Sequence, residues 1–195
     1  TRSSFCSSIV ATKQICMATL SIIIVNWNTC DLLAICLESI HRHPPACAFE
    51  VWVVDNASVD GSVAMTHERF SDVRVIENDI NVGFALANNR AIRASTAEFV
   101  LLLNSDTEVL PGALTELLAF MQTHPGVGVA GAQLLNRDGS LQRSVQRFPT
   151  CVSELVTVSG IRGRRQPQLF KKPTRVESVV GASMMVRRTA IEKVG

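Results

Sequence analysis

The run Leu20 to Val25 (LSIIIV) constrains the fold more than any other stretch of the chain. An unbroken, largely β-branched run reads as a strand buried on both faces, as in a parallel sheet covered by helices; a half-exposed strand would alternate apolar with polar residues. The chain then turns polar at Asn26 and Asn28. Asn28 or Thr29 can cap a helix in which Leu33, Cys36, Leu37 and Ile40 recur at helical spacing, with Pro44 and Pro45 just beyond its end.

The same alternation continues. A strand over Phe49 to Val54 ends at Asp55, and the polar run Asn56 to Ser62 leads into a short helix with Val63 and Met65 inward. A strand over Val73 to Ile76 ends at Glu77 and Asn78. The turn-rich stretch Asp79 to Gly83 feeds a helix from Phe84 to Ala94. A fourth strand, Phe99 to Leu103, ends in Asn104, Ser105 and Asp106. A helix near Gly112 to Thr123 follows, then a strand around Val127 to Leu135 and a hairpin turn at Asp138 and Gly139. A strand from Glu177 to Val186, crossing Gly181, and a helix from Thr189 close the chain. The fold class is therefore α/β, with right-handed crossovers and a mostly parallel central sheet flanked by helices. Ligands of such sheets sit at the carboxyl ends of the strands, where Asn26, Asp55, Asn78 and Asp106 all fall.

Composition removes other classes. With 47% apolar residues the 195-residue chain can fill a core, and a net charge of +2 argues against nucleic acid as a partner. No apolar run approaches the roughly 20 residues of a membrane-spanning helix. The six cysteines show no C-x-x-C spacing and no His pair near them at zinc-site intervals, so they read as reduced thiols of a cytosolic protein. No phosphate loop, dinucleotide fingerprint or nucleophile elbow is present, which lowers kinase, dehydrogenase and hydrolase readings. His41, His43, His67 and His124 lack matching partners in the sequence and read as surface residues. Residues 1–16 lack a starting Met and an apolar signal core. They read as a leader outside the fold, with Met17 a candidate start and residues 17–195 the domain.

Several residues can carry chemistry. Asp106, on an exposed loop after an apolar strand, can meet a divalent cation, because Mg2+ takes few protein carboxylates and fills its shell with phosphate oxygens and water. The alternative is a helix N-cap or turn former before Pro111. Asp55 can accept the imide N–H of a pyrimidine base or open an Asx-turn. Gly83 suits a positive φ, and Asn81 can shape the same turn. Asn88 and Asn89 are poor helix formers, so that one of them can face a ligand; an ordinary surface position is the alternative. Between Gly160 and Arg175 the cations Arg162, Arg164, Arg165, Lys171, Lys172 and Arg175 occur with no acid among them, and Pro167 and Pro173 exclude a continuous helix, so a mobile loop is expected.

The stretches SIIIVNWN (Ser21 to Asn28), VVDNASVDGS (Val53 to Ser62), NDINVGFALANN (Asn78 to Asn89), LLLNSDTEVLPGAL (Leu101 to Leu114), DGSLQRSVQRFPT (Asp138 to Thr150) and GASMMVRRTAIEKVG (Gly181 to Gly195) resemble the successive blocks of family 2 glycosyltransferases, especially the bacterial rhamnosyltransferase-like branch. The resemblance implies a GT-A fold and inverting transfer from a nucleoside-diphosphate sugar, aided by Mg2+ or Mn2+. The donor would be a dTDP- or UDP-sugar and the acceptor a glycan or polyprenyl-diphosphate-linked glycan, in cell-surface polysaccharide synthesis. By the same resemblance Val25, Asn26, Trp27, Asn28 and Asp55 hold the nucleobase and ribose. Asn81, Gly83, Asn89 and Asn104 belong to the donor site, Asp106 binds metal and diphosphate, and Gly181 and Ala182 lie near the donor sugar and acceptor. Asn104 stands where many relatives have the first Asp of Asp-x-Asp, as is common in the rhamnosyltransferase-like branch. The basic residues Arg162, Arg164, Arg165, Lys171 and Lys172 suggest peripheral contact with the inner face of the plasma membrane.

No acid matches the family's general base, which is expected beyond Gly195 in a domain incomplete at its carboxyl end. A non-catalytic nucleotide-sugar-binding module, or an inactive truncated product, is the alternative reading.

Overall fold

The computed structural model describes residues 18–146, 169–170 and 172–194. Strands β1 (Leu20–Asn26), β2 (Phe49–Asp55), β3 (Arg74–Glu77) and β4 (Phe99–Asn104) alternate with helices α1 (Cys30–Arg42), α2 (Ser62–Arg69) and α3 (Phe84–Ala94). Helix α4 (Ala113–Thr123) and strands β5 (Val129–Gly131), β6 (Val145–Gln146), β7 (Ser178–Val179) and β8 (Ser183–Arg187) follow, and α5 (Arg188–Val194) comes last. The main sheet has the order β3-β2-β1-β4-β8-β5, and β6 pairs with β7 separately. The first four strands are mutually parallel, whereas β8 runs antiparallel to both β4 and β5.

Both faces of the sheet are covered, which is why β1 and β4 are apolar without alternation. Ile22, Ile24, Val53, Leu101 and Leu103 pack beneath α1 and α4 with Leu33, Leu37, Leu114 and Leu118. Ile23, Val54, Val100 and Leu102 face the other way, against Ala87 and Ala91 of α3. Small residues on α3 let that helix lie close to the sheet.

The expected mostly parallel α/β architecture is present, with local corrections. The strand expected around Val127 to Leu135 shortens to Val129–Gly131, and beyond it Leu135 only bridges Leu141 across the turn at Gly139. The strand expected to cross Gly181 is two strands, β7 and β8, in different sheets. They separate at a turn over Gly181 and Ala182, whose carbonyl accepts the Asn104 N–H at 3.0 Å. The closing helix begins at Arg188 rather than Thr189.

Two arginines where β8 passes into α5, Arg187 as the last residue of the strand and Arg188 as the first of the helix, lock this arrangement, and each guanidinium closes the end of a different helix. Arg187 donates to the carbonyls of Met121 and His124 at the end of α4 and stacks over Phe99. Arg188 donates from Nε to the Ala97 carbonyl, from Nη1 to the Ile92 carbonyl at 3.2 Å, and from Nη2 to Ser95 Oγ at 2.9 Å. Cations at helix carboxyl ends satisfy orphan carbonyls and oppose the helix dipole.

Three histidines do have partners, and the third, His124, sets Nδ1 2.9 Å from the Phe120 carbonyl. His41 Nδ1 bonds the Leu37 carbonyl at 2.8 Å and Nε2 lies 3.0 Å from Asp72 Oδ2, while His67 Nε2 is 3.9 Å from Glu77. Partial burial alone would push the His41 imidazolium down, but Leu37 and Asp72 together outweigh it and raise its pKa above the usual histidine value. The three cysteines of the described residues, Cys30, Cys36 and Cys47, are free thiols. Burial, then the charge of Asp106, pushes Cys36 up to about 12, and burial likewise raises Cys30 and Cys47. None of these three is primed as a thiolate.

Candidate functional site

The carboxyl ends of four parallel strands place a polar row on one edge of the sheet. Asn26 pairs in register with Asp55, Asp55 with Glu77, and Val25 with Asn104. Apolar strands end here because each chain must leave the sheet for a helix at the same edge, and the side chains at that exit are the first that need not be apolar.

These side chains form two hydrogen-bonded groups, which the backbone joins where the Asn56 N–H donates to the Asn26 carbonyl and the Asn78 N–H to the Asp55 carbonyl. Asn26 is fully buried, and its Nδ2 donates to Asp55 Oδ1 at 2.8 Å and to Ser58 Oγ at 3.1 Å. Asp55 is 2% exposed, and its second oxygen accepts the Ser58 N–H at 2.7 Å. Both carboxylate oxygens are thus engaged, yet each keeps a lone pair for one further donor. Asn78 Nδ2 donates to Asn56 Oδ1 at 2.7 Å, and Arg90 donates to Asn78 in turn.

Loops after β1 and β2 are stitched together above this row. The Asn28 N–H donates to Ser58 Oγ and the Val59 N–H to Asn28 Oδ1, each at 2.9 Å. Asn28 and Ala57 both adopt positive φ, at 53° and 59°, a conformation that costs a non-glycine residue energy and that this cross-linking sustains. The expected side-chain cap of α1 by Asn28 or Thr29 is absent. Asp60 supplies it from the neighbouring loop, accepting the Cys30 N–H at 2.8 Å. Burial opposes ionisation of Asp60, but hydrogen bonds from Ser62 and from the Cys30 N–H outweigh it and lower its pKa. Thr29 turns its hydroxyl to Asn26 instead.

Asn81 and Gly83 behave as the sequence suggests: Asn81 Oδ1 accepts the Gly83 N–H at 2.9 Å, and Gly83 sits at φ 80° and ψ 170°, a region open essentially to glycine alone. The two helical asparagines diverge. Asn88 is buried and bonds the Phe84 carbonyl within its own helix. Asn89 lines a separate apolar hollow of about 270 Å³ with Ile92, Val186 and Ile191, and makes none of the contacts of the strand-end network.

The fourth strand ends in the loop Asn104, Ser105, Asp106. Asp106 is exposed, and no hydrogen bond or ion pair among the described residues engages its carboxylate. Thr107 and Asn104 tie this loop to Ala182, so Gly181 and Ala182 do stand beside it. A cleft of about 650 Å³ opens here, lined by Asn104, Asp106, Ala182, Leu32, Leu135 and Arg143. Trp27 is 56% exposed, its indole free to stack. Among the described residues no group of three His, Cys, Asp or Glu could cage a metal. One unengaged carboxylate does fit Mg2+ or Mn2+ shared with phosphate oxygens. Ser58, Asp60 and Ser105 were not singled out as site residues by sequence, and Thr29 only as a helix cap; for the first three the signal available was the density of hydroxyl and carboxylate residues in VDNASVDGS and NSD. Arg162, Arg164, Arg165 and Lys171 lie outside the described residues, and Lys172 is exposed.

The family model for Glycosyl transferase family 2 matches residues 21–195. The chain belongs to that family. This family 2 chain is 27% identical over 165 residues to an N-acetylglucosaminyl-diphospho-decaprenol L-rhamnosyltransferase of Mycobacterium tuberculosis, a match covering 74% of the chain and 54% of the relative. Its fold is similar to that of a mannosyltransferase from Pyrobaculum calidifontis in complex with GDP-Man and Mn2+. There the TM-score is 0.63 at 20% identity, over 92% of this chain and 47% of the other. TarS residues 1–349 of S. aureus, in complex with UDP-GlcNAc, match with TM-score 0.63 at 22% identity, over 90% and 47% of the two chains. The GT-A fold expected from the sequence is therefore the observed one. The family 2 chain spans about half the length of each of these three proteins. No helix among its described residues is long and apolar enough to cross a membrane.

Proposed function

We propose that this family 2 chain carries the donor site of an inverting glycosyltransferase of cell-surface polysaccharide synthesis. It takes a UDP- or dTDP-sugar, such as dTDP-rhamnose, and the acceptor is a glycan or a polyprenyl-diphosphate-linked glycan. The observation that carries this reading is the pairing, along one sheet edge, of the buried Asp55 carboxylate with the exposed, unengaged Asp106 carboxylate. Asp55 keeps a lone pair on each oxygen for the imide N–H of uracil or thymine, with Val25, Asn26, Trp27 and Asn28 around the base and ribose. Asn104 and Asp106 face the diphosphate, and Asn81, Gly83 and Asn89 remain proposed donor-side residues. A divalent cation, Mg2+ or Mn2+, supplies neutralisation of the leaving diphosphate when bound at Asp106. Gly181 and Ala182 border the donor sugar. The general base is unassigned.

Calorimetry with a panel of nucleoside diphosphates tests the reading. UDP and dTDP should bind in the presence of Mn2+ with GDP and ADP at least tenfold weaker, and Asp55→Ala should weaken both pyrimidines alike. Preference for a purine, or an Asp55→Ala effect confined to purines, removes the base contact. Incubation of dTDP-rhamnose or UDP-GlcNAc with a polyprenyl-diphosphate-linked acceptor then reports transfer and anomeric outcome. Donor binding without transfer favours a nucleotide-sugar-binding module.

The basic residues from Arg162 to Lys172 support cytoplasmic placement at the inner membrane face, since each cation near an anionic surface contributes about 1 kcal/mol. Arg164→Glu with Arg165→Glu should reduce sedimentation with anionic vesicles at low salt. Equal sedimentation of variant and parent would dismiss the contact.

A further inference from the structure

Proton bookkeeping along the strand-end network has one solution. Asp55 Oδ1 lies 2.8 Å from Asn26 Nδ2, and because a carboxylate only accepts, this bond fixes the orientation of the Asn26 carboxamide. Asn26 Oδ1 is then the acceptor of the Thr29 hydroxyl at 2.6 Å, which uses the only proton Thr29 has. The Thr29 and Ser105 hydroxyl oxygens lie 2.8 Å apart, so Ser105 is the donor and Thr29 the acceptor. Ser105, between Asn104 and Asp106 in the chain, has spent its proton on Thr29 and keeps lone pairs alone for any further partner.

We infer that Thr29 is a positioning residue that couples the nucleobase end of the donor site to its cation end, by holding Ser105 as an acceptor-only oxygen beside Asp106. The inference rests on the donor-site reading above. Three hydrogen bonds, Asn26 to Asp55, Thr29 to Asn26 and Ser105 to Thr29, run without a gap from the Asp55 carboxylate to the hydroxyl of Ser105, the residue next to Asp106 in the chain. With its own proton held on Thr29, the Ser105 oxygen could accept a hydrogen bond from a water or hydroxyl of a bound ligand. Hydrogen bonds in such chains act as a unit, so loss of the middle member frees the Ser105 rotor and leaves Asn26 Oδ1 short of a donor.

Thr29→Val keeps the branched shape and removes only the hydroxyl, and Thr29→Ser restores it. UDP binding is measured by calorimetry in Mn2+ and in EDTA for the parent, both variants and Ser105→Ala, with thermal unfolding as a check of fold. The tightening produced by Mn2+ should shrink about fivefold in Thr29→Val, with affinity in EDTA changed less than twofold. Thr29→Ser should recover the parent behaviour, and Ser105→Ala should match Thr29→Val. Undiminished tightening in Thr29→Val, or equal losses with and without Mn2+, overturns the coupling. Should Thr29→Val fail to fold, the same criteria apply to Ser105→Ala. A parent that binds no UDP under either condition overturns the donor-site reading itself, whereas a parent that binds with both variants unaffected overturns only the relay.

Discussion

Asp106→Ala should abolish the metal-dependent part of nucleotide-sugar binding, a loss of about 100-fold or more in affinity, with the unfolding temperature unchanged. The magnitude follows from what the carboxylate would hold. Diphosphate brings concentrated negative charge to a loop whose neighbours on the chain, Asn104 and Ser105, are neutral, and the cation would add a divalent counter-charge to those of Arg137 and Arg143 in the same cleft. Removing an exposed side chain that no described residue engages costs the fold nothing measurable. Asp106→Asn separates charge from shape: it should lose nearly as much, since a neutral amide oxygen binds a hard cation weakly. The check is calorimetric titration of UDP in Mn2+ and in EDTA. Equal affinities of parent and variant in Mn2+ would take Asp106 out of the site.

The second large effect is on stability. Arg188→Ala should destabilise the chain by about 2–4 kcal/mol, because one guanidinium satisfies the Ile92 carbonyl, the Ala97 carbonyl and Ser95 Oγ where α3 gives way to β4. Arg188→Lys should recover little, since an ammonium cannot match three acceptors set out as a fork. Chemical denaturation measures both. The variant should show a lower midpoint with unchanged slope, and UDP affinity should persist below the transition because Arg188 lies at the amino end of β4, opposite the site. An Arg188→Ala midpoint equal to the parent's would show that solvent replaces these bonds without loss.

Much of this architecture is legible in the chain because the signals are local. The apolar runs at Leu20 and Phe99 and the helix Phe84–Ala94 follow from patterning that neighbours in sequence enforce. The polar strand ends at Asn26, Asp55 and Asp106 are legible for the same reason. What escaped depends on partners distant in sequence. The antiparallel insertion of β8 beside β4 joins residues 80 to 88 positions apart, so no window of sequence contains it. The break at Gly181 follows from a tie between Ala182 and Asn104, again non-local. The cap of α1 was assigned to the nearest polar residues, whereas Asp60 on another loop reaches the Cys30 N–H. Thr29 and Ser105 show their connection only when β1 and β4 lie side by side, 76 positions apart in the chain. Asn89, which the resemblance places in the donor site, lines an apolar hollow with Ile92 and Ile191, a placement that only the packing of α3 reveals.

The central claim is that a pyrimidine nucleoside diphosphate and its cation occupy the carboxyl edge of this sheet. A crystal of the chain grown with UDP and Mn2+, with anomalous data collected at the manganese edge, locates both directly. The account predicts an anomalous peak at the Asp106 carboxylate, shared with the diphosphate, and the uracil imide on Asp55 beside Trp27. A manganese peak away from Asp106, or a nucleotide lodged in the hollow of Asn89 and Ile191, would contradict it.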